Sequence, residues 1–537
     1  MQKIKVLEVN NIDLIGNRFN GYDMIEDLSD NKLQIKQVVI DKLSDNENVY
    51  RLITNNSLRE CFNKFEGVEI EQSVKNIYSI TSPNLMDLKA YKEADIIHFH
   101  MFHNTRLSLY SLKKISEEKK IILSLHDPWF ITGRCIHFFE CQKWRNGCKN
   151  CPKLNNLFYF SKDNCNDMWN LKKLIFENID IDLVVATDWM KKLVKESPIT
   201  KTQKNIHKIP LGIDCEKFLK VTKEDAKKRY KIKDEVVLFL RAQNEFKGTP
   251  YVLEALKMLE TEKKITIITC DQKHLLDEVK DKYHIIDLGN IQDDEMIYAM
   301  NACDIFLMPS TGESFGMMAI EAMSCSKPVV VFDNSALPSV TKAPECGYLV
   351  KNKDSEDLMK AIKFLVENQK EREKRGILGR KIVEEEYSNE VYNNNLKRLY
   401  NKVYKRKIKD IKTNISQSDS YNIKQFKLYL NQITVRLFGT ENEFGKSLMF
   451  EVKKARYKSR YKIKYADLEL QEILHEYTTK LYEYLAKNDK AITNEKEIKI
   501  QKIKYLIINN PGFVIEKAKN RIITRLKNKI EKRDENV

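Results

Sequence analysis

No stretch of this 537-residue chain approaches the ~18 consecutive apolar positions that a membrane-spanning helix needs. The opening, "MQKIKVLEVNNIDL", carries acids and amides where a secretory signal requires a long apolar region, so the expected location is the cytosol. Pro-rich and Gly/Ser-rich linkers are missing, and no short-period repeat occurs. The 11 cysteines are an odd count, which in a reducing compartment argues against a disulfide framework. What is present is globular: 42% hydrophobic residues, and a length that fits roughly two to four domains of ~100–200 residues.

The formal charge of +16 is uneven. Residues 401–537 hold 32 Lys/Arg and 17 Asp/Glu, a net of +15, which leaves a net of +1 for residues 1–400. A nearly neutral body argues against nucleic acid as its partner.

Over the first 400 residues, short apolar runs alternate with helical patterns: "KIKVLEV", "LQIKQVVI", "ADIIHFH", "KIILSL" and "IDLVVAT", then "EVVLFL", "KITIITC", "CDIFLM", "PVVVF" and "CGYLV". Such alternation predicts parallel sheets covered by helices, here two α/β domains. Pro210 and Gly212 interrupt the pattern, and after "GYLV" the chain turns helical. The expected division is a first domain over 1–208 with a Cys-rich insertion at 129–155, a second over 209–387, a closing helix over 388–406 and a basic helical extension over 407–537.

Two loops carry the chemistry. In "VVLFLRAQNEFKG" a strand runs into Arg241 and Lys247 just before a helix, and two cations at a helix N-terminus suit an anion with several charges, such as a pyrophosphate. In "MPSTGESFGMMAIEAMSCSKPVVVFD" Glu313 and Glu321 flank the start of another helix between two apolar strands. A carboxylate there is either a cap or a ligand-reading group at the strand's carboxyl end.

Arg241 and Lys247 six apart, followed by Glu313 and Glu321 with seven residues between, resemble the nucleotide-sugar half of the retaining glycosyltransferase family 4, the group 1 family, although Leu240 stands where the family has a strand-end Gly. The resemblance implies a GT-B fold: two Rossmann-like domains facing across a cleft, with the C-terminal extension added. It implies that Arg241 and Lys247 neutralise the donor diphosphate, that Glu313 contacts donor-sugar hydroxyls, that the amides around Ser314, Phe315 and Gly316 face the phosphate, and that Glu321 holds the ribose. No catalytic metal is then required, because the cations and helix dipoles stabilise the leaving diphosphate.

The first domain extends the resemblance. "NNIDLIGNRFNGYDM" offers Gly16 for backbone approach to the donor and Gly21 toward the acceptor, with an ordinary turn as the other reading. "HFHMFH" presents His98, His100 and His103 at a strand end, and "SLHDPW" presents His126 at another. By analogy His126 contacts the donor sugar and His100 lines the acceptor cleft; metal binding by this histidine group is a rival reading, and His98 and His103 are more commonly satisfied structural histidines. Cys135, Cys141, Cys148 and Cys151 follow a C-x5-C-x6-C-x2-C spacing, for which a structural zinc leads, with free thiols and disulfides as alternatives. The surrounding "HDPWFITGRC…CKNCP" resembles a colanic-acid type subgroup that builds bacterial surface polysaccharide.

The implied activity is transfer of a sugar from a nucleotide sugar to a hydroxyl of a saccharide or lipid-linked saccharide in polysaccharide or lipopolysaccharide assembly. A GT-B nucleotide-sugar epimerase and a non-catalytic scaffold at the membrane are the alternatives. The resemblance leaves the extension unexplained. There, "FVIEKAKNRIITRLKNKIEKR" over 513–533 reads as a basic amphipathic helix, and Tyr457, Tyr461 and Tyr465 precede a stripe of Leu470, Ile473, Tyr477, Leu481 and Tyr484. Two readings stand: a small helical domain, or attraction to an anionic membrane at the inner face of the cytoplasmic membrane.

Overall fold

The ten apolar runs, with three further short segments, become thirteen strands in two parallel sheets in a computed structural model that describes residues 3–14, 21–54, 56–79, 81–154, 161–243, 245–291, 293–408, 420–438, 465–467 and 469–487. The first sheet contains β1 (Ile4–Ile12), β2 (Leu33–Asp41), β3 (Val49–Arg51), β4 (Ile96–His100), β5 (Lys120–Leu125), β6 (Asp182–Val185) and β7 (Asn205–Lys208), in the order β3-β2-β1-β4-β5-β6-β7. The second contains β8 (Val236–Ala242), β9 (Ile265–Asp271), β10 (His284–Asp287), β11 (Ile305–Met308), β12 (Val329–Phe332) and β13 (Gly347–Val350), in the order β10-β9-β8-β11-β12-β13. Central strands such as "VVLFL" and "VVVF" are buried on both faces, as parallel sheets under helices require. In each sheet the strand order reverses once, between β1 and β4 and between β8 and β11. Ligands of such sheets bind outside the carboxyl ends at that reversal.

Three strands escape the sequence reading, and all are edges: β3, β7 and β10, of three or four residues, partly exposed and polar in composition.

The helices that position the site are α1 (Asn56–Gln72), α2 (Ser82–Asp87), α3 (Cys165–Glu177), α4 (Asp188–Glu196), α5 (Thr249–Met258), α6 (Met317–Ser324), α7 (Asn389–Lys405), α8 (Ser420–Phe438) and α9 (Glu469–Lys487). Ser388 caps α7, its side chain accepting from the Val391 amide. Although α7 follows the second sheet, its buried face of Tyr392, Leu396, Leu399, Tyr400 and Val403 contacts β1 and β4 of the first. One apolar core therefore runs from β1 through α7 into the second domain.

The described part of the extension is not a body of its own. Phe426, Leu430 and Ile433 of α8, at helical spacing, join Tyr465 and Leu470, Leu474 and Leu481 of α9 in the core of the first domain. Tyr78 sits at the centre, with ring centroids 6.2 Å from Phe426, 5.7 Å from Tyr429 and 6.1 Å from Tyr465. Its hydroxyl lies 2.7 Å from that of Tyr465, whose carbonyl accepts from the Tyr110 hydroxyl at 2.6 Å. Gly16, Tyr457, Tyr461, the Tyr484 side chain and residues 513–533 lie outside the described residues. No helix among the described residues is long and apolar enough to cross a membrane.

Candidate active site

In the second domain the loops after β8 and β11 meet at the strand reversal. Gly248 starts α5 with φ +78°, and a Cβ there would fall 1.9 Å from the Pro309 carbonyl oxygen, so only glycine lets the two loops lie this close. The approach brings Lys247 Nζ to 2.6 Å from Glu313 Oε1, with both side chains largely buried. Arg241 ends β8 half-exposed and pairs through Nε with Asp271 at 2.8 Å. Gly316 opens α6, Phe315 is buried edge-on to Tyr387, and Glu321 is buried one turn into the helix. Ser314 Oγ is buried without a hydrogen-bond partner, while the Ser314 carbonyl accepts from Thr187 Oγ1 of the first domain at 3.2 Å. A helix N-terminus and a desolvated hydroxyl thus lie beside a Lys–Glu ion pair, and helix N-termini favour negative charge.

In the first domain a buried acid organises the opposing strand ends. The β1–β4 register sets Glu8 beside His98, so Glu8, His98 and His100 share one face of the sheet under α7. Burial works to raise the Glu8 carboxyl, but His98 and His100 outweigh it and hold the group at about 2. A carboxylate only accepts, so the groups bonded directly to it donate. His100 donates from Nε2 to Glu8 at 2.7 Å, and its Nδ1 is hydrogen-bonded to His126 Nε2 at 3.1 Å. Tyr400 donates to the second carboxylate oxygen at 2.7 Å and accepts from His98 Nδ1 at 2.9 Å; His98 Nε2 takes the Ser124 hydroxyl at 2.8 Å. His126 is thus a neutral imidazole, held well below its ordinary value by burial and by the neighbouring histidines.

His100 is 1% exposed, with Glu8 and His126 on its two ring nitrogens, so it sits behind His126 rather than lining an acceptor cleft. Gly21 is also buried: at φ +90°, a Cβ on it would lie 2.8 Å from that of Glu8, so its missing side chain makes room for the acid.

Next to His126, burial lifts the Asp127 carboxyl to about 7 and lowers the His103 imidazole 3.7 Å away to about 3. A raised carboxyl pKa means that folding prefers the protonated acid, so stability falls between the ordinary Asp range near 4 and pH 7 and is level above. Asp127→Asn keeps an acceptor for the Trp129 amide but cannot ionise. Its melting temperature should match wild type near pH 4 and exceed it increasingly up to pH 7; an unchanged difference across that range would refute a buried neutral acid.

The cysteine-bearing loop is rooted in the first domain. Lys172 of α3 donates to the carbonyls of Trp129, Thr132 and Gly133 at 2.6, 3.0 and 3.2 Å, and burial lowers its amine to about 7. The Gly133 amide donates to Cys148 Sγ at 3.2 Å. Cys135, Cys141, Cys148 and Cys151 are free thiols, and burial pushes Cys135 up to about 11 and Cys148 to about 12. Among the described residues no three cysteine sulfurs come within 4.8 Å of one another. Four thiolates at ~2.3 Å from one zinc would sit closer than that, so this arrangement does not fit a closed zinc cage. Glu8, His98 and His100 do meet that spacing, and the hydrogen bonds above account for their contacts.

Glu8, Tyr400, Asp127 and His137 are absent from the sequence reading. An acid within the buried strand "KVLEVNN" was a usable signal for Glu8. For His137 there was none: its ring packs 4.7 Å from that of Phe246, in the other domain.

Comparison with known proteins bears on both domains. Residues 221–382 match the family described as Glycosyl transferases group 1. A glycosyl transferase of Escherichia coli named for colanic acid biosynthesis, WcaC, is 38% identical over 68 residues, 11% of this chain and 17% of the relative. An uncharacterized protein in the cps region of Klebsiella pneumoniae is 22% identical over 295 residues, 54% of this chain and 74% of its own. The phosphatidyl-myo-inositol mannosyltransferase of Mycobacterium tuberculosis is 30% identical over 150 residues, 26% of this chain and 39% of the enzyme. The chain thus spans well under two thirds of the length of the first and third of these relatives. Sucrose-phosphate synthase from Thermosynechococcus elongatus superposes with a TM-score of 0.53 at 14% identity, over 75% of this chain and 99% of that one. Anabaena Alr3699/HepE, solved with UDP and glucose, gives 0.50 at 14% identity over 74% and 100%. These likenesses show the GT-B fold.

Proposed function

We propose that this chain, whose residues 221–382 are a group 1 glycosyl transferase domain, moves a sugar from a nucleotide sugar to a hydroxyl of a saccharide or lipid-linked saccharide in surface polysaccharide or lipopolysaccharide assembly. The observation that carries this reading is the Lys247–Glu313 pair at the β8/β11 reversal, beside the N-termini of α5 and α6. A diphosphate bound between these loops takes Lys247 as its counter-ion, with the N-terminal amides of α6 and the Ser314 hydroxyl as further donors. Glu313, released from Lys247, accepts from sugar hydroxyls. Arg241 adds a second cation, and Glu321 is the acceptor for the ribose.

In a retaining transfer the bond from the anomeric carbon to the phosphate oxygen breaks, and the acceptor oxygen bonds on the same face. The departing phosphate oxygen takes the acceptor proton. Preorganised cations and helix dipoles stabilise the developing diphosphate charge. The mannosyltransferase relative, named for a phosphatidylinositol acceptor, supports a lipid-linked acceptor here, and the UDP and glucose held by HepE support a nucleotide-sugar donor.

The test is a thermal-shift screen of UDP- and GDP-sugars, followed by NMR assignment of the product's anomeric configuration. Binding with donor conversion but no need for an acceptor would turn the reading toward an epimerase, and an inverted product would remove retention. Residues 488–537 hold 13 Lys/Arg and 7 Asp/Glu, each nearby cation contributing ~1 kcal/mol at an anionic lipid surface. The full chain should therefore co-sediment with anionic but not neutral vesicles, salt should release it, and a chain ending at Lys487 should stay in solution. Equal sedimentation of the shortened chain would move the membrane contact elsewhere.

A further inference from the structure

The tip of the cysteine-bearing loop crosses from one domain to the other. Along residues 138–140 and their neighbour His137, side chains divide between the two sides. Phe138 packs on the first domain, with ring centroids 5.4 Å from Trp144 and 6.2 Å from Trp189. His137 and Phe139 reach the second, at 4.7 and 5.9 Å from the Phe246 ring. Glu140 closes the span with an ion pair to Lys353 Nζ at 2.6 Å. Phe246 adjoins Lys247 in the chain. A Cβ placed on Gly312, the neighbour of Glu313, would lie 3.5 Å from His137 Nδ1 and 3.6 Å from Phe246. His137 therefore touches both loops that carry the Lys247–Glu313 pair, although it belongs to the other domain.

We infer that His137 is a sugar-reading residue of the donor site, contributed across the cleft by the cysteine-bearing loop; this rests on the donor assignment proposed above. The loop's rigid root, Lys172 on three carbonyls and Trp169 Nε1 on the Trp144 carbonyl at 2.8 Å, holds the tip in place. Burial, opposed by Glu313 and aided by Lys247, lowers the imidazole to about 4, so it is neutral, with one donor and one acceptor nitrogen. That is the complement of a hydroxyl. A diphosphate instead requires cations, and Lys247 and Arg241 supply those. His137 thus reads the sugar and is indifferent to the nucleotide.

The test compares UDP, GDP, UDP-glucose and GDP-mannose by titration calorimetry on the full chain. For the sugar nucleotide that wild type binds best, His137→Ala should weaken affinity ~10-fold, the value of one hydrogen bond, and change affinity for the parent diphosphate less than about 2-fold. His137→Gln, which restores a donor and an acceptor, should recover part of the loss. Intact diphosphate binding doubles as the check on folding. Equal losses for sugar nucleotide and diphosphate, or no loss for either, would overturn the assignment. Wild type that binds neither class would instead bring down the donor assignment on which it rests.

Discussion

Lys247→Ala should lower turnover by ~10²–10³, the cost of removing one preorganised group at a developing charge. The 2.6 Å pair with Glu313 sharpens this expectation. Lys247 and Glu313 neutralise each other in this pair, so on the proposed reading a donor diphosphate replaces Glu313 as the partner of Lys247. Alanine at 247 leaves the Glu313 carboxylate facing an incoming diphosphate with no cation between them, which adds repulsion to the lost attraction. Lys247→Ala with Glu313→Gln should therefore bind the diphosphate better than Lys247→Ala alone, while transferring sugar no faster. Near-normal turnover in the purified single variant would remove Lys247 from the donor site.

Cutting the chain after Ile408 should unfold the first domain, whereas cutting after Lys487 should not. Among the described residues the shorter chain loses seven buried hydrophobic side chains: Phe426, Leu430, Ile433, Tyr465, Leu470, Leu474 and Leu481. At ~1.5–3 kcal/mol each they contribute on the order of 10–20 kcal/mol of gross burial, against a net domain stability of ~5–15 kcal/mol. Tyr78 and Tyr110 would also lose their Tyr465 partners. The 408 chain should aggregate, or melt ~10 °C or more below wild type, while the 487 chain melts with it. A soluble 408 chain with an unchanged melt would make α8 and α9 mere passengers on the surface.

The layout of the second-domain loops was legible because its parts are local. Each strand, loop and helix start falls within some twenty residues, so the local pattern places Arg241, Lys247 and Glu313 around strand ends and Glu321 in the helix that follows. What the spacing could not supply was that Lys247 and Glu313 bind each other, or that Arg241 answers to Asp271. The first-domain network was out of reach for another reason: Glu8 meets His100 across 92 positions and Tyr400 across 392. Only topology brings those groups together, and His100 consequently turned out to be a support for His126 and not a wall of the cleft. The short edge strands β3, β7 and β10 carried too few apolar residues to register. In the extension the periodicity of Phe426, Leu430 and Ile433 was readable as a helix face, but nothing in it named the surface it covers.

The place of α8 and α9 also sets an order of manufacture. The ribosome adds ~5–20 residues per second, so it spends roughly 15–60 s on the 279 residues between Lys208, where the first sheet is complete, and Lys487, where α9 ends. Until α8 emerges late in that interval the face around Tyr78 has no cover, while the whole second domain emerges and can close its own sheet. The half of the protein that is made first is therefore finished last, and its open apolar face is the surface that a nascent-chain chaperone would meet.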